Sequence, residues 1–249
     1  MNEPKKLVVY HTSDVHDRRG FGAKLAALVE PGALLVDCGD ALRGSSTVYI
    51  KNEGVMAEFA AAPYAAQAVG NREFHYIHSR MLARSRAMKA PWVCSNLIDV
   101  RGRPPAFARD LAVRASGANV RVLALLAPQY RTGSGWERIF GWRFLSPEAA
   151  LDELLREGAS APYDATLLLS HLGLRADREI ARRYPALTAI IGGHSHDMLA
   201  QPEYAGAVPI VQSGPYASYA GRLELSLGAG RGAVESYRLV PLLAVDVRA

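Results

Sequence analysis

With 249 residues, 49% of them hydrophobic and 21% charged, the chain is long enough to bury a sizeable core, as one large domain or two small ones. Its composition excludes a disordered polymer. A formal net charge of +5 suits an anionic partner, but the arginines are scattered rather than gathered in a basic block, so charge alone makes no case for nucleic acid. No apolar run approaches the ~20 residues of a membrane-spanning helix, and no membrane partner is expected.

The opening MNEPKKLVVYHTSDVH reaches a strand pattern almost at once, with no long apolar stretch and no small-residue cleavage site. No signal peptide is expected from it. Strands are expected at 6–11, 33–38, 64–69, 92–96, 120–127, 165–171 and 187–193, and helices at 21–30, 47–61, 76–88, 147–158 and 174–184. Pro147 behind Ser146 is a good helix start, with Ser as the cap. The stretch APQYRTGSGWERIFGWRF, 127–144, has no clean period and is expected to be a long functional loop. From Val208 onward, strand patterns follow one another without helices, joined by Gly-rich turns such as GAGRG at 228–232. The class is therefore α/β with added antiparallel strands, as a single domain over 1–249 without linker or repeat. Cys38 and Cys94 each sit inside an apolar run, which fits buried free thiols and, with the absent signal, a cytoplasmic location.

Polar residues fall at the strand ends. The first strand runs into Asp14 and His16, two apart, so that in extended chain both point the same way. Later strands end at Asp40, Asn71, His171 and the pair His194 and His196. Each element alone reads equally as a solvated turn or a hydrogen-bonded histidine. Their joint occurrence decides: five strand ends carry four of the seven histidines, two aspartates and an asparagine. The carboxyl ends of parallel strands share one edge, where such folds place their sites. Imidazole, carboxylate and amide ligands without thiolate suit Mn, Fe or Zn. Seven ligands exceed one tetrahedral ion and match two divalent ions ~3.5–4 Å apart sharing a carboxylate, a clamp for hydrolysis at phosphorus by a bridging hydroxide.

The series SDVHD, DCGD with the following RGS, GNREF, LSHLG and GGHSH resembles the calcineurin-like metallophosphoesterase superfamily. More closely it is similar to the catalytic domain of bacterial 5′-nucleotidases and 2′,3′-cyclic-nucleotide phosphodiesterases. The likeness runs from about residue 6 to the end and takes in CSNLIDVRG and VQSGPYASYAGRLELSL. It implies a four-layer α/β/β/α sandwich and a small phosphorylated substrate. The implied first metal site is Asp14, His16, Asp40 and His196; the second is Asp40, Asn71, His171 and His194, with Asp40 bridging. Relatives of the nucleotidase type usually carry a further domain that clamps the base. This sequence ends at Ala249 without one, so recognition of a base in that manner is not expected.

Arg72 is a second departure, because the family motif has His there, which steadies the phosphoryl transition state or protonates the leaving group. Arg keeps its proton near neutral pH but offers a fixed cation to phosphate oxygens. The catalytic candidates are accordingly Asn71, Arg72 and His75, the last as a replacement acid. Arg72 and Arg131 are the substrate-binding candidates, together with Gln129, Tyr130, Trp136 and Trp142 of the 127–144 stretch. The competing expectation is a dinuclear metal-binding protein without turnover, a sensor or scaffold, motivated by Arg72.

Overall fold

A computed structural model of the chain describes residues 5–158, 163–228 and 231–243. Residues 229–230 of the GAGRG turn and the first four residues lie outside them. In chain order the first elements are β1 (Lys5–Thr12), α1 (Gly22–Leu28), β2 (Leu34–Asp37), α2 (Val55–Ala61), β3 (Tyr64–Ala68), α3 (His78–Ala87) and β4 (Trp92–Val93). There follow β5 (Leu97–Asp99), β6 (Asp110–Ala115), β7 (Ala118–Leu126), α4 (Gly135–Phe140), β8 (Trp142–Phe144), α5 (Pro147–Gly158), β9 (Ala165–His171), α6 (Leu174–Arg183) and β10 (Ala189–Gly192). The chain closes with β11 (Glu203–Tyr204), β12 (Pro209–Val211), β13 (Tyr219–Gly228) and β14 (Arg231–Pro241).

Two six-stranded sheets carry the fold, in the orders β14-β13-β1-β2-β3-β4 and β11-β12-β10-β9-β7-β6. β1, β2, β3 and β4 run parallel in the first, and β7, β9, β10 and β12 run parallel in the second. Their continuous apolar runs follow from burial on both faces. In β1 and β2, Leu7, Val9, Leu34 and Val36 face the second sheet, whereas Tyr10 and Leu35 face the helices. In β9, Leu167 and Leu169 meet the first sheet while Leu168 points outward. The period-two alternation of side chains thus feeds two cores from each strand.

Helices α1, α2 and α3 cover the first sheet through Leu25, Phe59 and Met81. Helices α5 and α6 cover the second through Leu151, Leu154 and Ile180. The layers are α/β/β/α, as the sequence resemblance implies. Ser146 caps α5 as expected, its hydroxyl accepting from the Ala149 amide at 3.1 Å.

Three expectations need correction. Residues 47–61 are helical only over Val55–Ala61. The preceding loop satisfies its backbone through side chains instead: the Glu53 carboxylate accepts from the Arg43 and Gly44 amides, and Arg84 donates to the carbonyls of Ser45 and Val48. The 127–144 stretch is not one irregular loop, because it forms α4 and β8. Trp142 of β8 is 1% exposed and packs in the core. The late strands divide: β13 and β14 extend the first sheet antiparallel, whereas β12 joins the second sheet parallel to β10.

Gly70 shows how tightly the strand ends are packed. A β-carbon there would run into the backbone amide and carboxylate of Asp40. Gly70→Ala is expected to lower Tm by more than ~4 °C, a cost above about 1–2 kcal/mol, because it meets backbone and cannot be relieved by a rotamer change. A thermal melt that superimposes on that of the parent chain would contradict this packing.

Candidate metal centre

The carboxyl ends of both sheets meet at one place. β1, β2 and β3 deliver Asp14, His16, Asp40 and Asn71 from the first sheet, and β9 and β10 deliver His171, His194 and His196 from the second. The edge is therefore shared by two sheets rather than one. The chain turns sharply there: Asp14, His16, Asp40, His194 and His196 all have left-handed backbone, with φ between 50° and 74°. Five such residues on one edge are strained conformations gathered where side chains must converge.

The contacts are close. His16 Nε2 lies 3.1 Å from His196 Nε2, which lies 3.6 Å from Asp14 Oδ1. His171 Nε2 stands 3.3 Å from Asp40 Oδ1, and Asn71 Nδ2 stands 3.2 Å from His194 Nδ1. The His194 amide donates to Asp14 at 3.1 Å, tying the two sheets together. All seven residues expected as ligands are in this cluster. Two ligand groups have donor atoms mutually within 4.8 Å, Asp14–His16–His196 and Asp14–Asp40–His171. Asp14 is common to both, where the resemblance gives the shared position to Asp40.

The donor atoms fit divalent cations. His171 is fully buried, and its Nδ1 lies 2.7 Å from the Cys38 carbonyl, which can only accept. Nδ1 therefore carries a proton, and Nε2 is buried, 3.3 Å from Asp40 Oδ1 and without a well-aligned hydrogen bond. Against its burial, the Asp40 and Asp14 carboxylates raise this imidazole to about 9, so in the metal-free chain Nε2 holds a proton whose place a metal ion would take. A buried imidazole nitrogen beside two carboxylates is a place for positive charge, a proton or a metal ion. Burial holds the His16 imidazole down to about 4, and pushes His194 below its ordinary value, so both rings are in the neutral, ligating form near neutrality. Burial also opposes charge on Asp40. The His171 ring and the Arg72 amide outweigh it and bring the carboxyl down to about 2.

A layer behind the ligands fixes them. Glu73, fully buried, accepts from the amides of Asp40 (2.7 Å) and Gly70 (3.0 Å) through Oε2, and from Ala41 (2.9 Å) and Leu42 (3.1 Å) through Oε1. Arg84, also fully buried, donates to the carbonyls of Arg72 (2.9 Å), Phe74 (3.1 Å) and Ser45 (3.1 Å). Tyr216 packs its ring 5.5 Å from that of His16 and 5.7 Å from that of His196. Of these, only Glu73 has a sequence signal, in GNREF. Arg84 lies between Arg80 and Arg86 and reads as part of a solvated basic helix face.

The other candidates are placed as follows. The Arg72 amide donates to Asp40 Oδ1 at 2.8 Å; its Nε lies 3.9 Å from Asp40 Oδ2, and its Nη1 donates to the Arg43 carbonyl at 2.9 Å. His75 is buried, accepts from the Ile77 amide at 3.0 Å and faces the Tyr49 ring. Burial, then Arg84 and Arg80, hold it at about 4. Gln129 donates to Asn71 Oδ1 at 3.0 Å. Arg131 is exposed and lines an open cavity of about 350 Å³ with Tyr130, Thr132 and Phe144. Trp136 is 54% exposed on α4, beside Tyr76 and Phe140.

The model of the family described as calcineurin-like phosphoesterase matches residues 7–198, most of the chain and every ligand above. The chain belongs to the calcineurin-like phosphoesterase family. It is 23% identical over 255 residues to the uncharacterized metallophosphoesterase YunD of Bacillus subtilis, covering 93% of this chain and 52% of that protein. It is 23% identical over 274 residues to a 5′-nucleotidase of Diplobatis ommata, covering 91% and 47%. Among solved structures it is similar to a 5′-nucleotidase precursor from Thermus thermophilus, with TM-score 0.78, 23% identity and coverage of 96% and 54%. It is also similar to the Haemophilus influenzae NAD nucleotidase, with TM-score 0.80, 16% identity and coverage of 97% and 51%. At these identities the structures establish the shared phosphoesterase fold. The chain spans about half the length of the curated relatives it matches.

Behind His171, the buried Asp177 of α6 accepts from the Ser170 hydroxyl. Burial lifts its carboxyl to about 7 against the pull of Ser170 and His171. A carboxyl raised on folding contributes stability that is fully present below its ordinary range and is lost as pH rises through about 7. Asp177→Asn keeps the acceptor for Ser170 without the buried charge. In metal-free protein it is expected to melt at least ~2–4 °C above the parent chain at pH 8, a gap that narrows toward pH 5. A gap that widens toward pH 5 would contradict the assignment.

Proposed function

We propose that this chain is the catalytic unit of a two-metal phosphoesterase that hydrolyses a small phosphomonoester or cyclic phosphodiester. The carrying observation is the buried Nε2 of His171 beside Asp14 and Asp40, with His16, His194, His196 and Asn71 converging on the same edge. Asp14, His16 and His196 would hold one ion, and Asp40, Asn71, His171 and His194 the other, with Mn, Zn or Fe suited to the donor set. When bound, such ions supply Lewis-acid polarisation of the phosphoryl group and lower the pKa of a water nucleophile. The family match and the nucleotidases among the relatives support phosphate ester chemistry and leave the organic part of the substrate open.

Arg72 takes the part of an electrostatic clamp in this reading. Its Nη1 is anchored on the Arg43 carbonyl, and a guanidinium has five donors, so others can meet the equatorial phosphoryl oxygens. His75, neutral near pH 7 and turned to Ile77 and Tyr49, is left out of proton donation here. Arg131 on its open cavity is the candidate contact for the rest of the substrate. A single domain and a cytoplasmic location complete the proposal, supported by Cys38 and Cys94 as buried free thiols. No helix among the described residues is long and apolar enough to cross a membrane.

With Mn²⁺ supplied, the chain is expected to hydrolyse p-nitrophenyl phosphate or its bis ester. His194→Ala should lower the rate roughly 100-fold or more. Arg72→Met should lower kcat/KM about 10²–10³-fold while still binding metal. Full metal occupancy with no turnover on any phosphoester of a broad panel would favour a sensor or scaffold and overturn the proposal.

A further inference from the structure

Asn71 is the weakest donor of the cluster, a neutral amide whose terminal torsion is soft and two-fold. Its oxygen and nitrogen have nearly the same shape, so packing alone does not choose which of them faces the ligand edge. Hydrogen-bond polarity does choose. The carbonyl of Ala127, one residue beyond β7, can only accept, and Gln129 Nε2 donates to it at 2.8 Å. The Gln129 amide is thereby locked with its NH₂ inward, and the same Nε2 presents its second proton to Asn71 Oδ1 at 3.0 Å. The atom of Asn71 that faces Gln129 must then be the oxygen. Its nitrogen lies 3.2 Å from His194 Nδ1, which must accept, so in the metal-free chain the Nδ1 lone pair is engaged by Asn71. A single backbone carbonyl so fixes the polarity of Gln129, Asn71 and His194 in series.

We propose that Gln129 is a positioning residue for the second cation, acting through Asn71. It occupies one lone pair of Asn71 Oδ1, holds the amide plane, and leaves the other lone pair for the ion; the idea rests on the two-metal reading above. Partners of metal ligands act in this way by restricting the ligand to its binding orientation. The role is specific to one of the two sites, because Gln129 is bonded to Asn71 and not to Asp14, His16 or His196.

The test is calorimetric titration of the purified chain with Mn²⁺ alone. Parent protein is expected to bind two ions. Gln129→Met, which keeps the length of the side chain and removes its polarity, should weaken the second ion about 10–100-fold and leave the first unchanged. The unchanged first site doubles as the control for folding, since general damage would weaken both. In an Asn71→Ala background the same substitution should add nothing, because the group it acts on is gone. Equal or tighter second-site binding in Gln129→Met, or equal weakening with and without Asn71, overturns the inference. A parent chain that binds fewer than two ions overturns the two-metal reading instead, so the two failures are distinguishable.

Discussion

Asp14 and Asp40 are buried carboxylates that converge with the buried His171 imidazole, their donor atoms within 4.8 Å of one another. Two like charges out of water at that separation repel strongly and are stable only where positive charge lies among them. The rest of the fold can be understood as the means of imposing this arrangement. Strands from two sheets end on it, left-handed residues turn five of its side chains inward, and the amide of His194 crosses from one sheet to bond Asp14 of the other.

The support is layered. Glu73 gathers four amides from the ends of β2 and β3, so Asp40 and Asn71 cannot move independently. Arg84 does the complementary work on carbonyls, joining the Arg72–Phe74 segment to the loop at Ser45 and Val48. A buried carboxyl and a buried guanidinium thus satisfy backbone groups that helix or sheet would otherwise pair. Arg72 sits on top of this layer, and its guanidinium is held by a carbonyl of the same loop. A residue that departs from the family motif is consequently not loose: it is fixed beside Asp40 by the same network that fixes the ligands.

Much of this was legible in the sequence. Buried parallel strands show as continuous apolar runs, and the polar residues clustered at their ends point to Asp14, His16, Asp40, Asn71, His171, His194 and His196. What stayed hidden depends on tertiary pairing. The loop before α2 resembles a helix by composition, but Glu53 and Arg84 satisfy its backbone from a distance in sequence. Arg84 has the surroundings of a surface arginine, and only the fold buries it. The stretch 127–144 lacks a period because α4 and β8 are each too short to show one. That same shortness hides the burial of Trp142 and the bond from Gln129 to Asn71.

The central claim is that the strand-end cluster holds two cations. It is tested most directly by anomalous diffraction from crystals of the chain soaked in Mn²⁺. Two manganese peaks ~3.5–4 Å apart are expected, one against His16 and His196 and the other against His171 and Asn71, with Asp14 and Asp40 between them. A single peak, or none within reach of His171 Nε2, would contradict it.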